Sequence, residues 1–471
     1  MGKLDRVYAK LPVWAQHAAV SAYGVYWNRL RFGHGYADFV EAYKKRERFS
    51  ADEWSQWQHQ RLTELLTNAA ALVPYYRTTW SDSEKQAARA GRLADLPLLE
   101  KSPLRVDAKA FLREDLHPRR PQVYHTSGST GTPIANYWTI PEYRDALALR
   151  EARSANWAGV SFRMPRATFS GRIVVPDPNS KGPFHRFNIA ERQVYLSAFH
   201  LSRENAPVYV EALRKHKVQW GTGYAVSFGL LARYILEDRL PAPQLKAIVT
   251  TSEKVTASMR AAMQEAFQCR VFEEYSTVES AVFASECEAG SLHVSPDAGI
   301  VEILRPDGSP CAPGEPGEVV ATCLLRDYQP LIRFRLGDMA AWSGSPCTCG
   351  RAMPVIQEVL GRIEDVIIGV DGRQMVRFHG IFVDQPSIRE GQIIQEALNR
   401  IRVKVVAADG FGQKEVDEII KRVQQRLTDQ VQVTVERVES IPRTKAGKFK
   451  AVISLLKDQG VAPVETTGID S

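Results

Sequence analysis

Cysteine is scarce in this sequence. Six cysteines among 471 residues are too few for the disulfide framework of a secreted scaffold. Long apolar runs are missing as well: residues 11–27 carry no formal charge, but Gln16, His17 and Ser21 make them too polar to span a bilayer. The opening MGKLDRVYAK lacks the apolar core of a signal peptide. We therefore expect a cytoplasmic protein, with residues 11–27 helical against the body of the fold or, alternatively, on a membrane surface.

A large excess of charge of one sign is also missing. The chain has 61 lysines and arginines against 54 acidic residues, which gives a net charge of +7 and an isoelectric point near 9.0. This balance favours anionic partners such as nucleotides or acidic lipids. The basic residues are scattered and form no stripe with interleaved aromatics, so we expect no nucleic-acid partner.

The sequence does contain an alternation of strand-like and helical segments. Residues 1–100 have apolar residues at helical spacing, and residues 101–360 alternate short apolar runs with helical stretches, which is typical of an α/β core. A hinge is expected at 361–366, followed by a small α+β domain over 367–460 with a hairpin around its Asp-Gly pair. The tail, 461–471, is predicted to be disordered.

One short stretch has the residue types of a phosphate site. HTSGSTGTP, residues 125–133, combines glycines that admit a close backbone approach with serine and threonine donors. No lysine follows Gly131, so it is not a Walker loop, and a solvated turn is the alternative. IPRTKAGKFKAV, residues 441–452, offers the missing cation in Lys448 beside Gly447. A basic surface loop is the alternative there.

Five motifs occur in the order in which adenylate-forming enzymes carry them. They are SGSTGTP (127–133), YSTVE (275–279), RFRLGD (333–338), GRIED (361–365) and PRTKAGK (442–448). The chain most resembles the phenylacetate–CoA ligase branch and, within it, members associated with capsular polysaccharide biosynthesis. The resemblance implies an α/β fold with a large N-terminal domain of several subdomains, which includes residues 1–100, and a small mobile α+β C-terminal domain.

The resemblance also implies an activity. Such an enzyme joins a carboxylate to the α-phosphate of ATP with the help of Mg²⁺, releases pyrophosphate, and passes the acyl group to a thiol, here coenzyme A. Delivery to a carrier protein, an amine, or a sugar or lipid-linked acceptor stays open, as does a non-catalytic nucleotide-binding role. The presence of Lys448, Glu279 and Asp338 favours the enzyme.

Roles for individual residues are implied in the same way. Lys448, Glu279 and Thr126 are the expected catalytic residues, with Lys448 between carboxylate and α-phosphate and Glu279 as a Mg²⁺ ligand. Tyr275 is expected to pack on adenine, and Asp338 to accept from the ribose hydroxyls. The other expected nucleotide contacts are Ser127, Gly128, Ser129, Thr130, Gly131, Ser252, Glu253, Ser276 and Arg362.

The hinge is implied by the resemblance as well. Its pivot is expected at Glu364, with Asp365 beside it. Rotation there would let Lys448 serve adenylation and then leave, so that a thiol can reach the adenylate; an ordinary charged linker is the alternative. The chain departs from the family at Ser276, which often is glycine, and at Leu336, which usually is threonine.

Three cysteines and one histidine occur as two closely spaced pairs of potential metal ligands. CTCGR supplies Cys347 and Cys349, and ECEAGSLH supplies Cys287 and His293. Three thiolates and an imidazole are a common ligand set for structural zinc, and members of the branch show a similar pattern. The alternative is a pair of buried reduced thiols with a surface histidine. The other cysteines, Cys269, Cys311 and Cys323, are predicted to be small core residues.

The acid-binding pocket is the part that the sequence conceals. By resemblance it draws on residues 169–172, 195–200 and 221–227, where aromatic and small residues alternate. This composition suits an aryl or a medium-sized apolar acid. Alternatively, Arg172 and His200 meet a second polar group on the acid.

Overall fold

The computed structural model describes residues 3–126, 134–177, 180–362, 367–370, 374–375, 379–382, 385, 387–442 and 449–456. Contacts between residues divide the chain into two units. The first comprises Met1–Val255, Met259–Leu336 and Ala340–Val359. The second comprises Leu360–Ser471 with the short segments Thr256–Ser258 and Gly337–Met339.

Helices dominate the first hundred residues and then alternate with strands. Their bounds are α1 (Lys3–Lys10), α2 (Val13–Arg31), α3 (Tyr36–Arg46), α4 (Ala51–Leu72), α5 (Pro74–Thr79), α6 (Asp82–Arg89), α7 (Lys101–Val106), α8 (Ile140–Leu149), α9 (Ala206–Lys215), α10 (Ala225–Glu237), α11 (Ala257–Phe267), α12 (His379–Phe382) and α13 (Gln413–Arg426). A π-helical segment, Arg150–Ala155, continues α8. Within the described ranges, no helix is both long enough and apolar enough to cross a bilayer.

The strands follow the same alternation. Their bounds are β1 (Gln122–His125), β2 (Ala135–Trp138), β3 (Arg166–Ser170), β4 (His185–Asn188), β5 (Gln193–Ser197), β6 (Trp220–Tyr224), β7 (Ala247–Thr251), β8 (Arg270–Ser276), β9 (Phe283–Glu286), β10 (Leu292–Val294), β11 (Gly299–Leu304), β12 (Gly317–Cys323), β13 (Phe334–Trp342), β14 (Val355–Arg362), β15 (Ile367–Ile368), β16 (Gln374–Met375), β17 (Ile388–Ala397), β18 (Arg400–Ala407), β19 (Gln432–Arg437) and β20 (Val452–Ser454).

The N-terminal helices have clear sequence signals for their ends. Ser50 and Glu53 form a reciprocal capping box at the start of α4, because each side chain accepts a hydrogen bond from the other residue's backbone N–H. The helix ends at Leu72, two residues before Pro74, which opens α5. Leu65 and Leu66 on its inner face join the apolar core shared with β9 to β13. These helices therefore cover a sheet and do not form a separate bundle.

A sheet of twelve strands runs through the first unit. Its order is β11-β12-β13-β14-β10-β9-β8-β7-β6-β3-β5-β4. The neighbours from β8 through β7, β6 and β3 to β5 pair in parallel, whereas β4, β9 and β10 pair antiparallel. The α/β class expected from the sequence is therefore confirmed. In such sheets ligands bind beyond the carboxyl ends of the parallel strands.

The second unit has its own small sheet and core. Strands β19-β18-β17-β20 form the sheet, and Ile393, Val403 and Val405 pack with Ile419 and Val423 of α13. The alternating buried residues of β18 explain why the segment NRIRVKVVAA forms a strand that is covered on one face. The two short strands β15 and β16 pair antiparallel, as the predicted hairpin requires.

Candidate functional site

The end of β7 is joined to the end of β6 through Glu253. The carboxylate of Glu253 accepts a hydrogen bond of 2.9 Å from the backbone N–H of Val226, in the first turn of α10. A negative charge is stabilised at this end of a helix. Burial, and after it the charge of Glu253, raises the pKa of Tyr224 to about 12. Ser252 has a φ of 70°. Because β7 ends at Thr251, the predicted pair Ser252 and Glu253 lies at the carboxyl edge of the sheet.

Strand β8 carries Tyr275 and Ser276 to the same edge. Both pair in register with β9, opposite Ala284 and Phe283. The hydroxyl of Ser276 donates to one carboxylate oxygen of Glu274 at 3.4 Å, while Arg150 holds the other oxygen at 2.8 Å. The serine at this position therefore contacts an ion pair whose carboxylate is buried.

Glu279 lies in the turn between β8 and β9. The turn is closed by the backbone N–H of Ser280, which donates to the carbonyl of Thr277 at 3.0 Å. Ser280 has a φ of 49°, in the left-handed region. Glu279 is only 7% exposed. A buried carboxylate held in a tight turn has the chemistry of a hard-cation ligand.

Thr126 closes the base of the serine- and glycine-rich loop. Its backbone N–H donates to the carbonyl of Ile134 at 3.1 Å, and its hydroxyl accepts from the backbone N–H of Ile134 at 3.0 Å. These bonds extend the β1–β2 hairpin by one pair. Thr126 therefore fixes where the chain enters and leaves the loop, which is a positioning role in addition to the catalytic role expected from the sequence.

Arg326 is a site residue that sequence reasoning missed. Its guanidinium is fully buried and donates to the Asn136 side chain at 3.1 Å, to the Tyr137 carbonyl at 2.8 Å and to the Glu279 carbonyl at 3.1 Å. It also stacks over the Trp138 ring at 4.4 Å. One arginine therefore ties β2, the strand that leaves the loop, to the turn that carries Glu279. An arginine in the apolar stretch LLRDYQP was the available signal.

Replacing Arg326 by methionine is expected to destabilise the fold by about 3 kcal/mol, because buried carbonyls lose their donor. We also expect the KM for Mg·ATP, the substrate that the resemblance implies, to rise about tenfold. Arg153→Met is the matched control, since Arg153 is equally buried but binds Asp297. It should destabilise without changing that KM. Equal KM changes in both variants would show that Arg326 acts through stability alone.

The motif RFRLGD divides into structural and candidate site residues. Arg333 pairs with Glu302 at 2.9 Å, and Arg335 pairs with Glu100 at 2.8 Å. Gly337 has a φ of 74°, a backbone conformation that favours glycine. The next residue, Asp338, is 6% exposed. The two arginines therefore hold the fold, and Asp338 is the buried acidic residue of the motif.

Several expected site residues lie outside the described residues. They are Ser127, Gly128, Ser129, Thr130, Gly131, Glu364, Asp365 and Lys448, together with the side chain of Arg362. Their roles stay predictions.

The four predicted metal ligands come together. Cys287 follows β9, His293 lies in β10, and Cys347 and Cys349 lie between β13 and β14. Their ligand atoms all lie within 4.8 Å of one another. The sulfurs of Cys287 and Cys347 are 3.7 Å apart, and tetrahedral zinc with Zn–S bonds of about 2.3 Å would hold two sulfurs about 3.8 Å apart. The cluster thus fits zinc in ligand type and spacing.

Neighbouring groups orient His293 and favour the thiolate form of Cys347. The Nδ1 atom of His293 contacts the carbonyl of Met353 at 3.2 Å, which turns Nε2 towards the sulfurs. The backbone N–H of Cys349 donates to the Cys347 sulfur at 3.4 Å. Burial alone would raise the pKa of the Cys347 thiol, but hydrogen bonds, that of Ser291 first, lower it to about 6. A thiolate is the form that binds metal.

Some of the residues that were predicted to line the acid-binding pocket pack in the core instead. Gly223 has a φ of 126°, and a Cβ there would lie 1.8 Å from the Phe169 carbonyl, so this glycine is required for the close approach of β3 and β6. Phe169 itself is fully buried against Phe228. His200 is held on both sides, by the Ser197 hydroxyl at 2.7 Å and the Asp177 carbonyl at 2.8 Å.

Arg172 lies next to an aromatic residue of the same region. Its guanidinium is 3.5 Å from the hydroxyl of Tyr195 and 5.4 Å from the centre of that ring. Tyr195 and Ser197 belong to β5, and Arg172 follows β3, so these side chains gather at the carboxyl edge. The region therefore offers an aromatic wall with a cation at its rim.

Comparisons with known proteins agree with the resemblance seen in the sequence. The model of the CapK C-terminal domain family matches residues 372–455. Protein CapK of Staphylococcus aureus is 23% identical over 467 residues, which cover 96% of this chain and all of that protein. Phenylacetate-coenzyme A ligase of Thermus thermophilus is 24% identical over 453 residues, which cover 85% of this chain and 96% of that one. These matches confirm the resemblance to the phenylacetate–CoA ligase-like branch that the five motifs predicted.

A solved structure supports the fold of this branch. The structure of 2-hydroxyisobutyryl-CoA ligase in the postadenylation state, with a bound acyl-adenylate, has a TM-score of 0.67 to this chain. The two sequences are 20% identical, and the match covers 88% of this chain and 94% of that one. This likeness confirms the adenylate-forming fold expected from the five motifs.

Proposed function

We propose that this protein activates a carboxylic acid with ATP, releases pyrophosphate, and transfers the acyl group from the adenylate to coenzyme A. The observation that carries the proposal is the double attachment of Arg326. It holds both the strand that leaves the serine- and glycine-rich loop and the turn of Glu279. A phosphate-binding loop and a cation-binding carboxylate must act at one place in this chemistry, and one buried guanidinium sets their spacing.

The first step, formation of the acyl-adenylate, requires stabilisation of negative charge. A carboxylate is a poor electrophile, and its attack on the α-phosphate of ATP brings two anions together. Donors that wait where charge builds up lower the barrier without reorganising. In our proposal Ser127, Ser129 and Thr130 hold the phosphates, Thr126 fixes the base of their loop, and Lys448 binds between carboxylate and α-phosphate.

Glu279 is the residue proposed to hold Mg²⁺. Arg326 binds its backbone carbonyl, so this contact leaves the carboxylate oxygens for a cation. The bound ion would neutralise phosphate charge. Tyr275 and Asp338 are proposed to contact adenine and ribose, with Gly128, Gly131, Ser252, Glu253, Ser276 and Arg362 as the remaining nucleotide contacts.

The cluster of three cysteines and His293 is proposed to hold structural zinc. Closed sets of four ligands stabilise folds, whereas catalytic zinc keeps an open position. The site would join the β9–β10 hairpin to the loop before β14. It would supply cross-linking and take no part in acyl transfer.

The proposal is tested by acid-dependent exchange of labelled pyrophosphate into ATP with Mg²⁺. The panel should include phenylacetate, 2-hydroxyisobutyrate, benzoate and medium-chain fatty acids. Exchange with one acid and none without it is the expected result, and mass spectrometry should then detect a thioester after coenzyme A is added. Exchange without a thioester would favour a carrier protein, an amine, or a sugar or lipid-linked acceptor. Nucleotide binding without any exchange would favour a non-catalytic role.

A further inference from the structure

Helix α2 turns its polar side chains towards the protein. The Gln16 side chain accepts from Arg186 at 2.7 Å, the Nδ1 atom of His17 accepts from the backbone N–H of Phe187 at 2.9 Å, and the Ser21 hydroxyl donates to the carbonyl of Phe187 at 3.3 Å. All of these bonds reach β4, the edge strand of the large sheet. Gln16, His17 and Ser21 therefore bind the edge strand, and α2 covers this edge of the sheet.

The opposite side of α2 is apolar and aromatic. Trp14 is 75% exposed, Tyr26 50% and Val25 45%. We call this side the outer face; it consists of Trp14, Ala18, Ala22, Val25, Tyr26 and Arg29, which are all exposed and follow helical spacing. A usual surface helix keeps its apolar residues inward, whereas α2 buries Trp27 and Leu30 and also exposes this second apolar side.

Further exposed apolar residues lie beside the outer face. The ring of Tyr23 is 6.1 Å from that of Tyr26. Ile189 is 69% exposed, and its backbone N–H donates to the Ser21 hydroxyl at 3.2 Å, which places it against α2. Contiguous apolar patches on a protein surface often mark a site of interaction with another protein or a membrane.

The segment that carries the outer face has formal charges of one sign. No aspartate or glutamate occurs in residues 6–37, whereas Lys10 and Arg29 are exposed at its two ends. A second copy of the chain in a two-fold arrangement would set basic residues against basic residues. An anionic lipid surface matches both the charge and the aromatic rings, whose polar tips suit the headgroup level.

We propose that the outer face of α2 binds the surface of an anionic membrane. The helix lies in the plane of the interface, with Trp14, Val25 and Tyr26 among the acyl-chain ends and Lys10 and Arg29 at the phosphates. This inference rests on α2 and β4 and does not depend on the proposed ligase activity.

The test is co-sedimentation of the full chain with vesicles. Vesicles of phosphatidylcholine mixed with phosphatidylglycerol are compared with phosphatidylcholine alone, at low and at high salt. We expect binding to the anionic vesicles that weakens with salt. The variant Trp14→Gln/Val25→Gln/Tyr26→Gln should lower the partition coefficient by about tenfold or more, and Arg29→Glu should lower it for anionic vesicles.

Two controls keep the test decisive. Val106→Gln removes an even more exposed apolar side chain on α7 and should bind like the unchanged protein. If the triple variant fails to fold, Trp14→Gln alone replaces it, because that side chain is the most exposed of the three. No vesicle binding, or equal binding by all variants, would overturn the proposal. A dimer in sedimentation velocity that the triple variant abolishes, without vesicle binding, would assign the outer face to a second copy.

Discussion

Replacement of Lys448 by alanine is expected to slow acid-dependent pyrophosphate exchange by about 10²–10³-fold. The reason is the loss of a cation where carboxylate and α-phosphate meet. Transfer of the acyl group from chemically prepared acyl-adenylate to coenzyme A should be nearly unchanged, because the proposed hinge at Glu364 and Asp365 removes Lys448 before the second step. The two rates are measured separately on the same preparation.

Lys450→Ala is the matched control for this prediction. Lys450 belongs to the same basic segment and gives its backbone carbonyl to the Gln392 side chain at 2.7 Å, so its ammonium is not needed for that contact. The control removes the same charge and should keep both rates within about twofold. Loss of both half-reactions in Lys448→Ala would contradict a lysine that leaves, and equal losses in both variants would indicate only a general effect of charge.

The sequence was sufficient to predict those features that residues close together in the chain determine. The alternation of apolar runs and helices predicted the α/β class, and five short motifs predicted the family. The spacing of Cys287 and His293, and of Cys347 and Cys349, predicted one cluster, which the structure assembles. Each motif and each pair of ligands lies within one short segment, where neighbouring residues decide the local structure. The fold then brings the two ligand pairs together, although Cys287 and Cys347 are 60 positions apart in the sequence.

Arg326 shows what such patterns cannot supply. Its partners at 136, 137 and 279 come from β2 and from the turn after β8. Only the folded sheet brings them together. The same limit affects the expected acid pocket, where Gly223 and Phe169 serve strand packing. Aromatic and small residues at strand ends have the same composition in a core as in a pocket, so composition alone did not separate them.

The second large effect is expected at the cysteine cluster. The purified protein should contain about one zinc per chain, since four ligands of this type form a closed tetrahedral site. Cys347→Ser should lose the metal and about 4 kcal/mol of unfolding free energy, because loss of a structural metal is among the strongest single-residue effects. Elemental analysis and denaturant unfolding measure the two quantities.

The site at the sheet edge should then respond as well, although no cluster residue is proposed to touch substrate. Cys287 directly follows strand β9, which pairs with Tyr275 and Ser276 of β8. A loosened β9 should therefore raise the KM for ATP more than it lowers kcat. Cys269→Ser is the control, since Cys269 lies outside the cluster, and it should keep zinc and KM. A zinc-free native protein of full stability, or a Cys347→Ser variant that retains zinc, would refute the structural metal.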